Sequence, residues 1–235
     1  MTNDTLPWED DVGPPARPRP ASWSPFAGFA YAARVVVYDP AVIMLMTVGL
    51  FASQFIALLG HAIHWTAAQS GAPMGGWVVD AMLSIVNLPI QALFILGAWR
   101  VAMNTARGRK SRLEDLYDLD SYNPAFVATL LASLGLWLGL ALCIVPGLVL
   151  SMRWAFRIPL IFDRGIDGVE SLRQSWILTR GHMLRLTVFA VVAVIVLALG
   201  AALCGIGFFP AWGFVMLAAT HAYMRMSGQP VLEPR

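Results

Sequence analysis

CIVPGLVLSMRWAFRIPLIFDRGIDGVESLRQSWILTRGHMLR, Cys143 to Arg185, interrupts an otherwise plain hydrophobic chain. Within it, Val145-Pro146-Gly147 separates two apolar runs and reads as a turn. The run that follows, Leu148 to Phe162, would be a helix of only about 22 Å, against a hydrocarbon core of roughly 30 Å. It also carries Arg153, Arg157 and Pro159, and Asp163-Arg164-Gly165 ends it. Such a segment either meets a locally thinned bilayer or stays tucked inside a helix bundle. From Asp167 to Arg180 the pattern becomes amphipathic. Ile166, Val169, Leu172 and Trp176 recur at helical spacing, with Asp167, Glu170, Arg173 and Gln174 at polar positions. The spacing predicts a helix lying on the membrane interface, with Asp167 and Glu170 as its N-terminal cap pair.

Working outward, the 235 residues are 58% hydrophobic and 13% charged, with a mean hydropathy of +0.66. Soluble domains carry about 25% charged residues, so the class is an all-α integral membrane protein. The net charge of +2 does not indicate nucleic acid, because the basic residues flank apolar runs. Residues 1–24 are polar and Pro-rich and read as a disordered tail. A single transmembrane helical domain takes residues 25–226, and 227–235 form a short polar tail.

Residues 25–38 read as an interfacial helix, with Phe26, Phe29 and Tyr38 near the headgroups and Arg34 snorkelling. Spanning segments are expected near 41–63, 77–101, 125–144, 148–162, 184–203 and 209–226. Asp39 is placed to cap the first, with Pro40 at its first helical position, and Pro89 is expected to kink the second. If the six alternate from a cytoplasmic N-terminus, all 16 Lys and Arg residues fall on the cytoplasmic side or in the short fourth segment. The three outer links carry none, as positive-inside topology requires. Both termini are then cytoplasmic, and the basic block Arg107, Arg109, Lys110, Arg112 lies near anionic headgroups.

Arg153, seven residues beyond Pro146, is placed near mid-membrane, with Arg157 on the same helical face. Three roles fit: a cavity for an anionic headgroup or solute, a pin holding a helix break, or snorkelling. His61, His64 and Asp80 flank a short outer link; they read as a cap and interface set or as a metal or proton site. Cys143 and Cys204 fall at outer helix ends and read as a disulfide or as two packed thiols. No HExxH, GxSxG, CxxC or Walker pattern is present, so no catalytic residue and no cofactor is expected.

Residues 145–182 resemble a family of bacterial inner-membrane proteins that includes the YciC-type proteins and the membrane domain of some glycerophosphodiester phosphodiesterases. Pro146, Gly147, Arg153, Pro159, Asp163, Gly165, Glu170, Leu172, Ser175, Trp176, Thr179 and Gly181 carry the likeness. It implies a six-helix module in the bacterial inner membrane. The attached phosphodiesterase domain has no counterpart in these residues, so lipid hydrolysis is not implied. The reading is a non-enzymatic module that binds phospholipid, a membrane-protein partner or a second copy of itself, with a role in envelope homeostasis or complex assembly. The alternatives are a small transporter or channel subunit for an anionic or amphiphilic solute, and a membrane enzyme at the His/Asp set.

Overall fold

The computed structural model describes residues 23–70, 73–110, 115, 121–142, 144–203, 205 and 207–232. Among them the chain is built from helices: α1 Pro25–Tyr38, α2 Pro40–Gln69, α3 Pro73–Ala106, α4 Tyr122–Leu142, α5 Ile144–Arg153, α6 Arg157–Arg164, α7 Gly168–Thr179, α8 Met183–Ala202 and α9 Phe208–Met226. Four of these, α2, α3, α4 and α8, are long and apolar enough to cross a membrane. Met44, Phe55, Met82, Ile85, Leu134, Trp137, Val194 and Leu199 all stand exposed along them. In water each such side chain would forgo about 25 cal/mol per Å² of burial; in hydrocarbon that cost disappears.

The centre of the bundle is α9, the helix most enclosed by its neighbours. It buries Gly213, Met216, Leu217, Ala218, Thr220, His221, Ala222, Tyr223, Met224 and Met226, with α1, α2, α3 and α8 packed around it. Its polar residues make it less apolar than the four spanning helices, and the helices around it screen those residues. Small residues set the closest approaches, as helix association in lipid favours. A Cβ on Gly200 would lie 2.6 Å from Ala211 Cβ, and one on Gly28 would lie 2.9 Å from the Ala218 carbonyl.

That second contact packs α1 against α9. Pro25, Gly28, Tyr31, Ala32 and Val35 are buried, and Phe29 stacks on Phe189 at 4.9 Å. Phe26 and Tyr38 remain exposed. Asp39 occupies the N-cap position of α2 but makes no side-chain cap hydrogen bond. Helix α3 continues through Pro89, whose carbonyl accepts from Tyr122 Oη at 3.2 Å.

The fourth segment differs most from expectation. Pro146 and Gly147 do not form the turn; they lie in the first turn of α5, where proline's missing N–H costs no helical bond. Helices α4 and α5 nearly touch beside it: a Cβ on Gly139 would lie 2.9 Å from Gly147 Cα. The segment is also not one helix. It divides into α5, about 15 Å long, and α6, with the break at 154–156. Gly165 closes α6 at φ +60°, a left-handed cap that glycine adopts without strain.

Helix α7 turns its small and hydroxyl residues to the protein. Gly168, Ser171, Leu172, Ser175 and Thr179 are buried, whereas Val169, Trp176 and Ile177 are exposed. Asp167 sits at the N-cap without a side-chain cap bond, and Glu170 turns away to accept from Gln174 Nε2 at 3.1 Å. The inward hydroxyls satisfy themselves locally: Ser171 Oγ donates to the Gly168 carbonyl at 2.7 Å and Thr179 Oγ1 to Ser175 O at 2.9 Å. Gly168 lets α7 lie against α4, because a Cβ there would meet the Pro124 carbonyl and lie 2.9 Å from Ala128 N. Both neighbours are backbone and cannot rotate away. Gly168→Ala is expected to cost about 1–3 kcal/mol, read as a lower unfolding midpoint in detergent. An unchanged midpoint would show that α4 and α7 can part freely.

Candidate functional site

The break between α5 and α6 is repaired from α7. Ser175 Oγ donates to Arg153 O at 2.7 Å and accepts from the Phe156 N–H at 3.2 Å. One hydroxyl thus replaces helical partners for a carbonyl and an amide stranded at the break. The Arg153 side chain reinforces the junction. Its guanidinium carbon lies 4.9 Å from the Trp176 ring centroid, and Nη1 donates to Trp176 O at 3.4 Å. Neighbouring Met152 Sδ accepts from Thr187 Oγ1 at 3.7 Å, so Arg153 stands level with the second turn of α8. It is the last residue of α5. Arg157 points to the other side. Its Nη1 donates to Trp154 O at 3.0 Å, and it lines a cavity of about 90 Å³ with Ser133, Ser151 and Trp154.

Around α7 the charges pair locally. Arg164 Nη1 donates to Gln174 Oε1 at 2.6 Å, and Arg173 Nη1 to Glu170 Oε2 at 3.4 Å. The hydrogen bond from Gln174, with Arg173 adding its charge, holds the Glu170 carboxyl below its ordinary range. Of the four residues singled out for this helix in the sequence, Asp167 stands at the N-cap, Glu170 and Arg173 bond to each other, and Trp176 carries Arg153.

A second constellation was not legible as a pattern. Asp163, at the end of α6, accepts from Arg107 just beyond α3, from Tyr223 Oη of α9 at 2.8 Å, and from Gln229 Nε2 in the chain beyond α9. Gln229 Oε1 in turn accepts from Arg107 at 3.2 Å, and Leu232 N donates to Ala106 O at 3.0 Å. One carboxylate therefore ties three helix ends and the C-terminal segment together. Beside it is a polar cavity of about 290 Å³, lined by Arg100, Asn104, Arg107, Arg109 and Ser121 with Met103 and Phe162. Carboxylates already share its arginines: Arg107 pairs with Asp163, and Arg100 Nε lies 3.9 Å from Asp115.

At the far end of the α2–α3 hairpin, His61 Nδ1 approaches Asp80 Oδ1 at 3.5 Å and lies 2.7 Å from Ala57 O. Asp80 packs on Gly60. The structure does not bring His64 into this pair; its ring lies 4.5 Å from the Trp77 ring. Among the described residues no group of three or more His, Cys, Asp or Glu side chains is placed to hold a metal ion. Cys143 and Cys204 lie outside the described residues.

Apolar helices exposed to their surroundings, small-residue packing and a screened polar core define an all-helical membrane protein. Residues 122–226, from α4 through α9, match the family model for the membrane domain of glycerophosphoryl diester phosphodiesterase. That part of the chain is similar to the domain, and it contains both the repaired break and Asp163. No curated protein and no solved structure matches the chain.

Proposed function

We propose that the chain is a non-catalytic, multi-pass inner-membrane module that engages anionic phospholipid through α7. The observation that carries this reading is the outward face of α7. Its small and hydroxyl residues face the protein, while Val169, Trp176 and Ile177 stand exposed beside Arg173 and Arg180. An apolar face edged with arginines belongs at the level of headgroups, where aromatic and basic side chains are both favourably placed. On this reading Arg107 and Arg180, just beyond α3 and α7, and Arg164 and Arg225, in the last turns of α6 and α9, lie on the cytoplasmic side, with both termini on it and Arg153 bracing the interfacial helix from within.

A nitroxide probe at residue 177 of the full chain in phosphatidylglycerol-containing nanodiscs tests this. Its relaxation is expected to respond to oxygen far more than to a water-soluble nickel complex. Arg173→Gln with Arg180→Gln is expected to reduce the enrichment of phosphatidylglycerol over phosphatidylcholine around the protein. A water-exposed probe would sink the interfacial placement, and unchanged enrichment would sink the anionic preference.

A further inference from the structure

A recess of about 360 Å³ opens between α5 and α8. Leu148 on α5 and Val194 on α8 stand exposed at its rim, while Leu186, Ala193, Phe156 and Trp99 are buried along its floor. Small side chains make it a recess: Ala155, Ala190, Ala193 and Ala219 leave room that longer ones would fill. The two helices meet at one end, where Thr187 Oγ1 donates to Met152 Sδ at 3.7 Å.

Its walls offer little to a polar ligand. The described lining includes no charged residue, and its one hydroxyl, Ser151 Oγ, already donates to Leu148 O at 2.7 Å. A charged or strongly hydrogen-bonding solute would lose its water there without replacement. An empty recess, on the other hand, would forfeit dispersion contacts along both walls. In lipid, where helices gain no hydrophobic drive, packing of this kind decides what associates. The occupant is therefore hydrocarbon.

Dimensions narrow it further. Along α8 the recess runs from Leu186 to Leu197, about 16 Å of helix. A second helix of that length and about 10 Å across would need roughly 1,300 Å³, so 360 Å³ takes a single chain and not a helix. The recess begins about 5 Å past Met183, the first residue of α8, which follows α7 after residues 180–182. Its length matches the hydrocarbon of one leaflet, about 15 Å or half the core. We propose that this recess holds one acyl chain of a phospholipid from the leaflet whose surface carries α7. The choice of leaflet rests on the interfacial placement of α7; occupancy by an acyl chain does not.

A photoreactive benzophenone side chain at position 194 of the full chain reports what lies in the recess. One at position 55, exposed on α2, reports the surrounding lipid. The protein is extracted from bilayers of phosphatidylcholine and phosphatidylglycerol, exchanged into lipid-free detergent, irradiated and weighed by mass spectrometry. Phospholipid adducts are expected at 194 in roughly fivefold or greater yield than at 55, because loosely held lipid washes away and a packed chain does not. Equal yields at the two positions overturn the proposal. So does a cross-linked dimer at 194, which would make the recess an interface between copies. Ala190→Leu fills the recess and is expected to cut the adduct at 194 roughly fivefold without changing that at 55; an undiminished adduct overturns the proposal. The comparison of positions 194 and 55 in the otherwise unaltered chain decides even where the leucine lowers the unfolding midpoint. The adduct is expected with either lipid and in the chain carrying Arg173→Gln and Arg180→Gln, so failure of the α7 reading and failure of this site are distinguishable.

Discussion

Asp163→Ala is expected to lower the unfolding free energy by about 2–4 kcal/mol, below the full range for a buried pair because Arg107 is partly exposed. The Asp163 side chain is 13% exposed and that of Arg107 30%. Removing the carboxylate leaves Arg107 with only Gln229 as a described partner and takes away the acceptor of the Tyr223 hydroxyl. Because the carboxylate joins α3, α6, α9 and the C-terminal segment, the loss is not confined to one contact. Limited proteolysis is expected to cut around residues 227–232 of the variant well before the wild type. Asp163→Asn keeps the shape and one acceptor and is expected to lose roughly half as much. Alanine and asparagine variants that both unfold like wild type would show that the node adds nothing to stability. A double-mutant cycle with Arg107→Met isolates the pairwise part.

Ser175→Ala has the next largest expected effect, about 2–4 kcal/mol, because one hydroxyl serves two buried backbone groups. Its loss strands the Arg153 carbonyl and the Phe156 N–H at the α5–α6 break. Ser175→Thr keeps the hydroxyl and is expected to retain more stability than alanine, less the cost of one added methyl group at a fully buried position. Amide exchange is the decisive readout. Phe156 is expected to exchange much faster in the alanine variant, while α8 and α9 stay protected. Equal exchange at Phe156 would mean that another group caps the break.

The helix positions were largely legible in the sequence. The segments read at 184–203 and 209–226 are α8 and α9 within a residue, since an uncharged run with one Gly-Pro interruption leaves few alternatives. The amphipathic segment at 167–180 is α7, but which of its faces meets the protein was not legible. Apolar spacing identifies the inward face only where the surroundings are water. Where they are hydrocarbon, Val169 and Ile177 can face out and Gly168 and Ser175 in. Pro146-Gly147 misled for a related reason: the pair breaks a helix in its interior but not in its first turn. Arg153 and Trp176 were both singled out, yet nothing in their spacing said that one would stack on the other.

Composition, the lengths of the uncharged runs and the placement of charge alone determined an all-helical membrane protein with an irregular fourth segment. These are properties of each segment against its solvent, and each can be summed locally along the chain. Only the tertiary structure decided which groups meet. Arg107, Asp163, Tyr223 and Gln229 come from points up to 122 residues apart, and Trp23 and Tyr31 join Arg225 across most of the chain. Hydrogen bonds and ion pairs act over a few ångströms of space, and no periodicity in the sequence encodes the packing of α1 on α9 or of α7 on the break that brings them within reach.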